Sequence, residues 1–133
     1  MQDPKSVLIV DDSRDLVRLV ADFLAMYGYR VYTAHDGEDA LCCLERTDVG
    51  IVVTDIHMPR MDGFTLMDEI KSRHPQVPVV LVTGYSVHEA RKIAFERGAD
   101  AFMAKPFKLR DLKSVIDEVS KDKVRDTPDG GRR

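Results

Sequence analysis

The sequence predicts an α/β protein: one doubly wound (βα)5 domain, with a parallel five-stranded sheet covered by helices on both faces. Three observations carry this reading. Four apolar runs, at residues 7–10, 51–54, 79–82 and 101–104, are short and mostly rich in Val and Ile. They are continuous rather than alternating, as in strands buried on both faces. Between them lie segments whose apolar residues recur at helical spacing. Finally, each run stops on residues that can do chemistry: Asp11-Asp12, Asp55, Thr83 and Lys105-Pro106. In an open parallel sheet, ligands bind outside the carboxyl ends of the strands, so these side chains are expected to converge at one edge.

The elements follow in order. Strand one covers about residues 6–10. Helix one, about 13–27, turns Leu16, Val20, Phe23, Leu24 and Tyr27 inward and Arg14, Asp15, Arg18 and Asp22 to water. Asp12 or Ser13 can cap it, and Gly28 stops it. Strand two, about 30–34, is more polar and suits a sheet edge. Helix two follows Asp36-Gly37 and buries Ala40, Leu41 and Leu44. Strand three, about 50–54, leads through a loop at 57–63 to helix three, with Leu66, Met67 and Ile70 inward. Pro75 and Pro78 bracket the entry to strand four, about 77–82. Helix four, about 86–97, ends at Gly98, strand five covers 101–104, and helix five carries Leu109, Leu112, Val115, Ile116 and Val119 on one face. Past about residue 121 there is little to bury, and 121–133 reads as a mobile polar tail or linker behind a domain at 1–120. Right-handed crossovers and two covered faces are satisfied by the strand order 2-1-3-4-5, which places strands one and three together at the centre.

A chain of 133 residues holds one domain with a real core. The net charge of −3 argues against a dedicated nucleic-acid binder, which normally shows a basic face. No apolar stretch approaches the ~20 residues of a membrane span, and the polar N-terminus lacks the apolar core of a signal peptide. A cytoplasmic location is expected, without membrane contact. Cys42 and Cys43 are adjacent in a helical pattern, so their side chains point about 100° apart, which suits neither a disulfide nor a metal pair.

The chemistry follows from charge. Three carboxylates packed together repel one another and stay ionised only with a cation among them. Asp11, Asp12 and Asp55 suit Mg²⁺ (or Mn²⁺), a hard ion that takes oxygen ligands and fills its shell with water and phosphate oxygens. A carboxylate can also attack phosphorus to give an aspartyl phosphate. Asp55, at the end of the central strand and before a loop, is the better nucleophile. Lys105 supplies a point charge for the phosphoryl oxygens, Thr83 a hydrogen bond, and Pro106 fixes the turn that aims Lys105, with a cis Lys105–Pro106 peptide compatible. A lone Asp after a strand is usually a helix cap. Four such positions at four strand ends, in this order, are not explained by capping.

The chain resembles the receiver domain of bacterial two-component response regulators. The resemblance rests on Val10-Asp11-Asp12, Asp55-Ile56-His57-Met58-Pro59-Arg60-Met61-Asp62-Gly63, Val82-Thr83-Gly84 and Lys105-Pro106-Phe107, and it spans about residues 5–120. It implies that Asp55 accepts a phosphoryl group from the phosphohistidine of a sensor histidine kinase or phosphotransfer protein. It implies that the backbone carbonyl of His57 joins Asp11, Asp12 and Asp55 as a metal ligand. It implies a switch in which the Thr83 hydroxyl moves toward the phosphate and Phe102, where tyrosine is more usual, turns inward. His57 and Tyr85 would flank the phosphoryl group and govern the approach of water. The helix four, strand five and helix five face would then serve a downstream protein partner or a dimer, without direct nucleic-acid binding. Exposed charges such as Glu89, Arg91, Lys92, Arg97, Lys108 and Lys113 suit such a face.

Two other functions compete. A phosphatase of the haloacid dehalogenase type shares the carboxylates, the Thr and the Lys and would be a turnover enzyme. It needs Asp-x-Asp after strand one, whereas Asp11 and Asp12 are adjacent. A non-phosphorylated interaction module would not need all five site residues. The domain could stand alone or be part of a longer transcriptional regulator.

Overall fold

The computed structural model describes residues 5–125, with side chains described to residue 120. Five strands alternate with five helices: β1 (Ser6–Val10), α1 (Arg14–Ala25), β2 (Arg30–Ala34), α2 (Gly37–Arg46), β3 (Ile51–Asp55), α3 (Gly63–Arg73), β4 (Val79–Thr83), α4 (Val87–Glu96), β5 (Ala101–Ala104) and α5 (Leu109–Arg125). The strands pair in parallel in the order β2-β1-β3-β4-β5, as expected. The register sets Val10 beside Thr54 and Asp55 beside Val82, so the chemical residues leave the sheet at one edge.

Burial on both faces divides the core into two layers. Val7, Ile9, Ile51, Val53, Val80 and Val82 pack with Val17, Val20, Leu24, Leu112 and Ile116 of α1 and α5. Their strand neighbours Leu8, Val10, Val52, Val79 and Leu81 point the other way, against Ala40, Leu44, Leu66, Met67, Ile70, Ala90 and Ala94 of α2, α3 and α4. The alternation is the pleat of the strand, which sends successive side chains to opposite faces.

Local chemistry sets the helix starts. Ser13, rather than Asp12, caps α1 through Oγ, which accepts the Leu16 N–H. Asp36 and Asp62 cap α2 and α3, each accepting the N–H three residues on at 2.8 Å. α4 differs: Ser86 stands before it in the left-handed region (φ 44°) and its side chain makes no capping bond. α4 also buries only Ala90 and Ala94, while Ile93 and Phe95 are exposed.

Three expectations need correction. Tyr27 is exposed, because α1 ends at Ala25 and Tyr27 lies in the turn beyond its stripe; Val17 takes the inward place. β4 begins at Val79 rather than about 77. α5 runs on to Arg125, past the boundary expected at residue 120, since no Gly or Pro interrupts the chain before Pro128. The rest of the expected tail, 126–133, lies outside the described residues. Cys42 is exposed and Cys43 half-buried, and both are free.

Candidate functional site

β1 and β3 lie side by side at the middle of the sheet, and their ends bring three carboxylates together. One oxygen from each of Asp11, Asp12 and Asp55 lies within 4.8 Å of the others. Asp11 and Asp55 are buried, and Asp12 is open to solvent. Asp11 is oriented by the Ser13 N–H, which donates to its Oδ1 at 2.9 Å. Asp55 is held from behind by α3. A side chain at Gly63 would collide with the Asp55 carbonyl and the Ile56 backbone, so only glycine allows α3 to start this close.

Lys105 reaches over from the end of β5. Its Nζ lies 2.9 Å from Asp11 Oδ2 and 3.7 Å from Asp55 Oδ1, bridging the two buried carboxylates. The Lys105–Pro106 peptide is cis. Burial raises the Asp55 pKa above its ordinary 3.8, and Lys105 works against that rise. Burial opposes the Lys105 charge, but the hydrogen bond to Asp11 and the charges of Asp55 and Asp11 outweigh it, and its pKa is raised. Three carboxylates facing one ammonium leave an excess of negative charge in a partly desolvated place. Clustered, hard oxygen donors with that excess fit a divalent cation of the Mg²⁺ kind.

Thr83 is fully buried at the end of β4. Its Oγ1 accepts the Tyr85 N–H at 3.1 Å, so the hydroxyl is engaged in its own loop. His57 and Tyr85 are exposed and meet edge to face, with ring centroids 4.9 Å apart. His57 is close enough to Asp55 to lower its pKa slightly against the effect of burial. Phe102 is half-buried and packs against the α2–α3–α4 layer. Pro106 lines a groove of about 430 Å³ with Leu16, Leu19, Lys105, Phe107 and Leu109, which runs from the site along α1.

The structure thus gathers Asp11, Asp12, Asp55 and Lys105, sets Thr83 at the adjoining strand end, and joins His57 to Tyr85. Sequence reasoning missed how the loop at 57–62 is fastened. Arg60 Nη2 lies 2.6 Å from Asp36 Oδ2, and Met61 sits against Gly37, where a Cβ would strike its side chain. The visible signal was small: an Asp-Gly pair before α2 and a Pro-Arg-Met turn, 24 residues apart.

A doubly wound sheet of order 2-1-3-4-5 with a carboxylate cluster and a lysine at its carboxyl edge defines a class of signalling domain. The model of the response regulator receiver domain matches residues 7–117, and the chain belongs to that family. Among relatives, the sensor histidine kinase RcsC of Salmonella typhi is 38% identical over 125 residues, covering 94% of this chain and 13% of the kinase. The transcriptional regulatory protein CpxR of Klebsiella pneumoniae is 38% identical over 110 residues, 83% of this chain and 47% of the regulator. The receiver domain of NtrX from Brucella abortus has the same fold, with a TM-score of 0.82 and 38% identity, covering 86% of this chain and 98% of that domain. The chain therefore spans about half or less of the curated relatives it matches here, and those relatives include both kinases and regulators. No helix among the described residues is long and apolar enough to cross a membrane.

Proposed function

We propose that this receiver takes a phosphoryl group on Asp55 from the phosphohistidine of a sensor kinase or phosphotransfer protein. The observation that carries this is the position of Asp55: buried at the end of the central strand, beside Asp11 and Asp12, and facing Lys105. An Asp55 carboxylate oxygen forms the new bond to phosphorus. The bond from phosphorus to the imidazole nitrogen breaks, and that nitrogen keeps the electron pair and takes up a proton. Asp11, Asp12, Asp55 and the His57 carbonyl would hold Mg²⁺, or Mn²⁺ in its place. The bound cation would neutralise charge on the phosphoryl oxygens and orient them. Lys105 supplies a second positive charge at the same oxygens. It already spans Asp11 and Asp55, so a small shift brings it to the phosphoryl group.

The groove beside Lys105 suits an apolar docking surface of the phosphodonor. It is apolar along Leu16, Leu19, Pro106, Phe107 and Leu109, and Leu19 is 55% exposed. Output is placed on α4, β5 and α5, for a protein partner or a second copy. Exposed Ile93 and Phe95, the loose start of α4 and the half-buried Phe102 of β5 support that placement. Arg97 of this region is tied to Asp68 of α3, and Lys113 lies over the ring of Tyr27 in the turn after α1. The Thr83 hydroxyl would leave Tyr85 for a phosphoryl oxygen, and Phe102 would follow it. The same reading makes the chain an acceptor rather than an enzyme with an external substrate, working in the cytoplasm.

Incubation with acetyl phosphate and Mg²⁺ should add one phosphoryl group, labile to hydroxylamine. Labelling of Asp55→Asn at the wild-type rate would refute the assignment.

A further inference from the structure

We infer that Asp36 is a positioning residue for this site: through Arg60 it holds the β3–α3 loop, and with it the His57 carbonyl, in the shape that the metal needs. The inference rests on the metal reading above. It starts from a strained turn. Arg60 has φ 70°, and the Met61 N–H donates to the Pro59 carbonyl across it at 2.8 Å. This is a γ-turn of positive φ, a rare conformation that a residue with a Cβ keeps only when its surroundings enforce it.

The surroundings can be named. The far end of the loop is fixed by Gly63, whose N–H donates to the Ile56 carbonyl at 2.7 Å. Met61 is seated on Gly37. The Arg60 side chain is 68% exposed, and its guanidinium is held by Asp36 at 2.6 Å. Asp36 divides its two oxygens: Oδ1 accepts the Asp39 N–H and caps α2, and Oδ2 takes the arginine. Exposed ion pairs usually contribute little, because both long side chains must be ordered to make them. Here the cap has already ordered one partner, and the turn has fixed the backbone of the other. Only two residues, Met58 and Pro59, separate Arg60 from His57, and Pro59 has a fixed φ. Slack at Arg60 therefore reaches the His57 carbonyl with little room to be absorbed.

Two substitutions separate this role from a structural one. Asp36→Asn keeps an oxygen for the cap, where Asn serves as well as Asp, and removes the charge that holds Arg60. Arg60→Gly removes the guanidinium and also relieves the positive φ, so the fold should melt no lower than wild type. Mg²⁺ binding would be followed by amide shifts in the whole chain, alongside thermal melting and amide exchange of residues 57–62 without metal. Both variants should bind Mg²⁺ roughly twofold to fivefold more weakly, a loss of the size one exposed ion pair can carry. Loop exchange should quicken while the melting temperature is kept. Asp12→Ala serves as the reference for lost metal binding. Wild-type affinity in both clasp variants, with binding lost in Asp12→Ala, would overturn the role of Asp36 and leave the metal reading intact. Weakening that only tracks a fall in melting temperature would also overturn it. Wild-type affinity in Asp12→Ala would overturn the metal reading, and the clasp with it.

Discussion

At the scale of single residues, the pair His57 and Tyr85 carries the most specific expectation. An acyl phosphate is lost when water attacks in line, and the rings of His57, two residues after Asp55, and Tyr85, two after Thr83, meet edge to face. The two rings pack on each other, so each gains order from the contact. Shielding by the pair predicts faster decay of the phosphorylated protein in both His57→Ala and Tyr85→Ala. A change of about 1–3 kcal/mol in barrier corresponds to roughly tenfold to a hundredfold in rate. Slower decay in His57→Ala would mean that the imidazole assists hydrolysis. Tyr29 gives a second expectation, in pH. It is buried, its hydroxyl donates to Asp117, and burial with that hydrogen bond and the Asp117 charge raises its pKa well above the ordinary 10.0. The unfolded chain therefore loses this proton at lower pH than the folded one. The stability that Tyr29 contributes is complete below pH 10 and falls as pH rises above it. Denaturant midpoints measured across that range should drop less steeply in Tyr29→Phe than in wild type. In an ultraviolet titration Tyr29 should ionise well above its ordinary 10.0, in a step that Tyr29→Phe removes.

At the scale of elements, α4 stands apart. α3 buries Leu66, Met67 and Ile70 and has an Asp62 cap, whereas α4 buries two alanines and starts from an uncapped left-handed serine. Its C-terminal end is better held, with Arg97 paired to Asp68 and stacked near the Phe64 ring. Amides at the start of α4 should therefore exchange faster than those of α3, as expected of an element with few buried contacts. Beryllofluoride, which mimics the phosphoryl group, should shift amides beyond the site mainly on α4, β5 and α5. Shifts gathered on α1 and α2 would place the output elsewhere. The weak burial of α4 was not legible in its sequence, because only the packing shows that the apolar Ile93 and Phe95 are left outside. The strands were legible: β1, β2 and β5 begin and end where their apolar runs and flanking turns place them. The meeting of Asp11, Asp12, Asp55 and Lys105 was legible, since each closes or directly follows a strand, but its geometry was not. Nothing in the order of residues reveals that Lys105 sits nearer to Asp11 than to Asp55, or that the Thr83 hydroxyl is turned to Tyr85. The Asp36–Arg60 pair was hidden for the same reason, being a contact between two loops that only the closed sheet brings together.

At the scale of the whole molecule, the order of the strands makes the site. Strand order 2-1-3-4-5 places β1 and β3 side by side, whereas in a sheet wound in chain order β2 would stand between Asp55 and the Asp11-Asp12 pair. The same sheet keeps two sets of side chains apart, Leu24 and Ile116 in one layer and Ile70 and Leu66 in the other. Energetically they amount to two accounts kept in one fold. Truncations in different layers should add in their effect on unfolding free energy to within about 0.5 kcal/mol, because distant sites that share no partners do so. Leu24→Ala with Ile70→Ala tests this by a double-mutant cycle in urea. Two truncations within one layer, Leu66→Ala with Ile70→Ala, should depart from additivity. A receiver built this way can drift in sequence on one side of its sheet without disturbing the packing on the other, so the two layers are free to evolve at different rates.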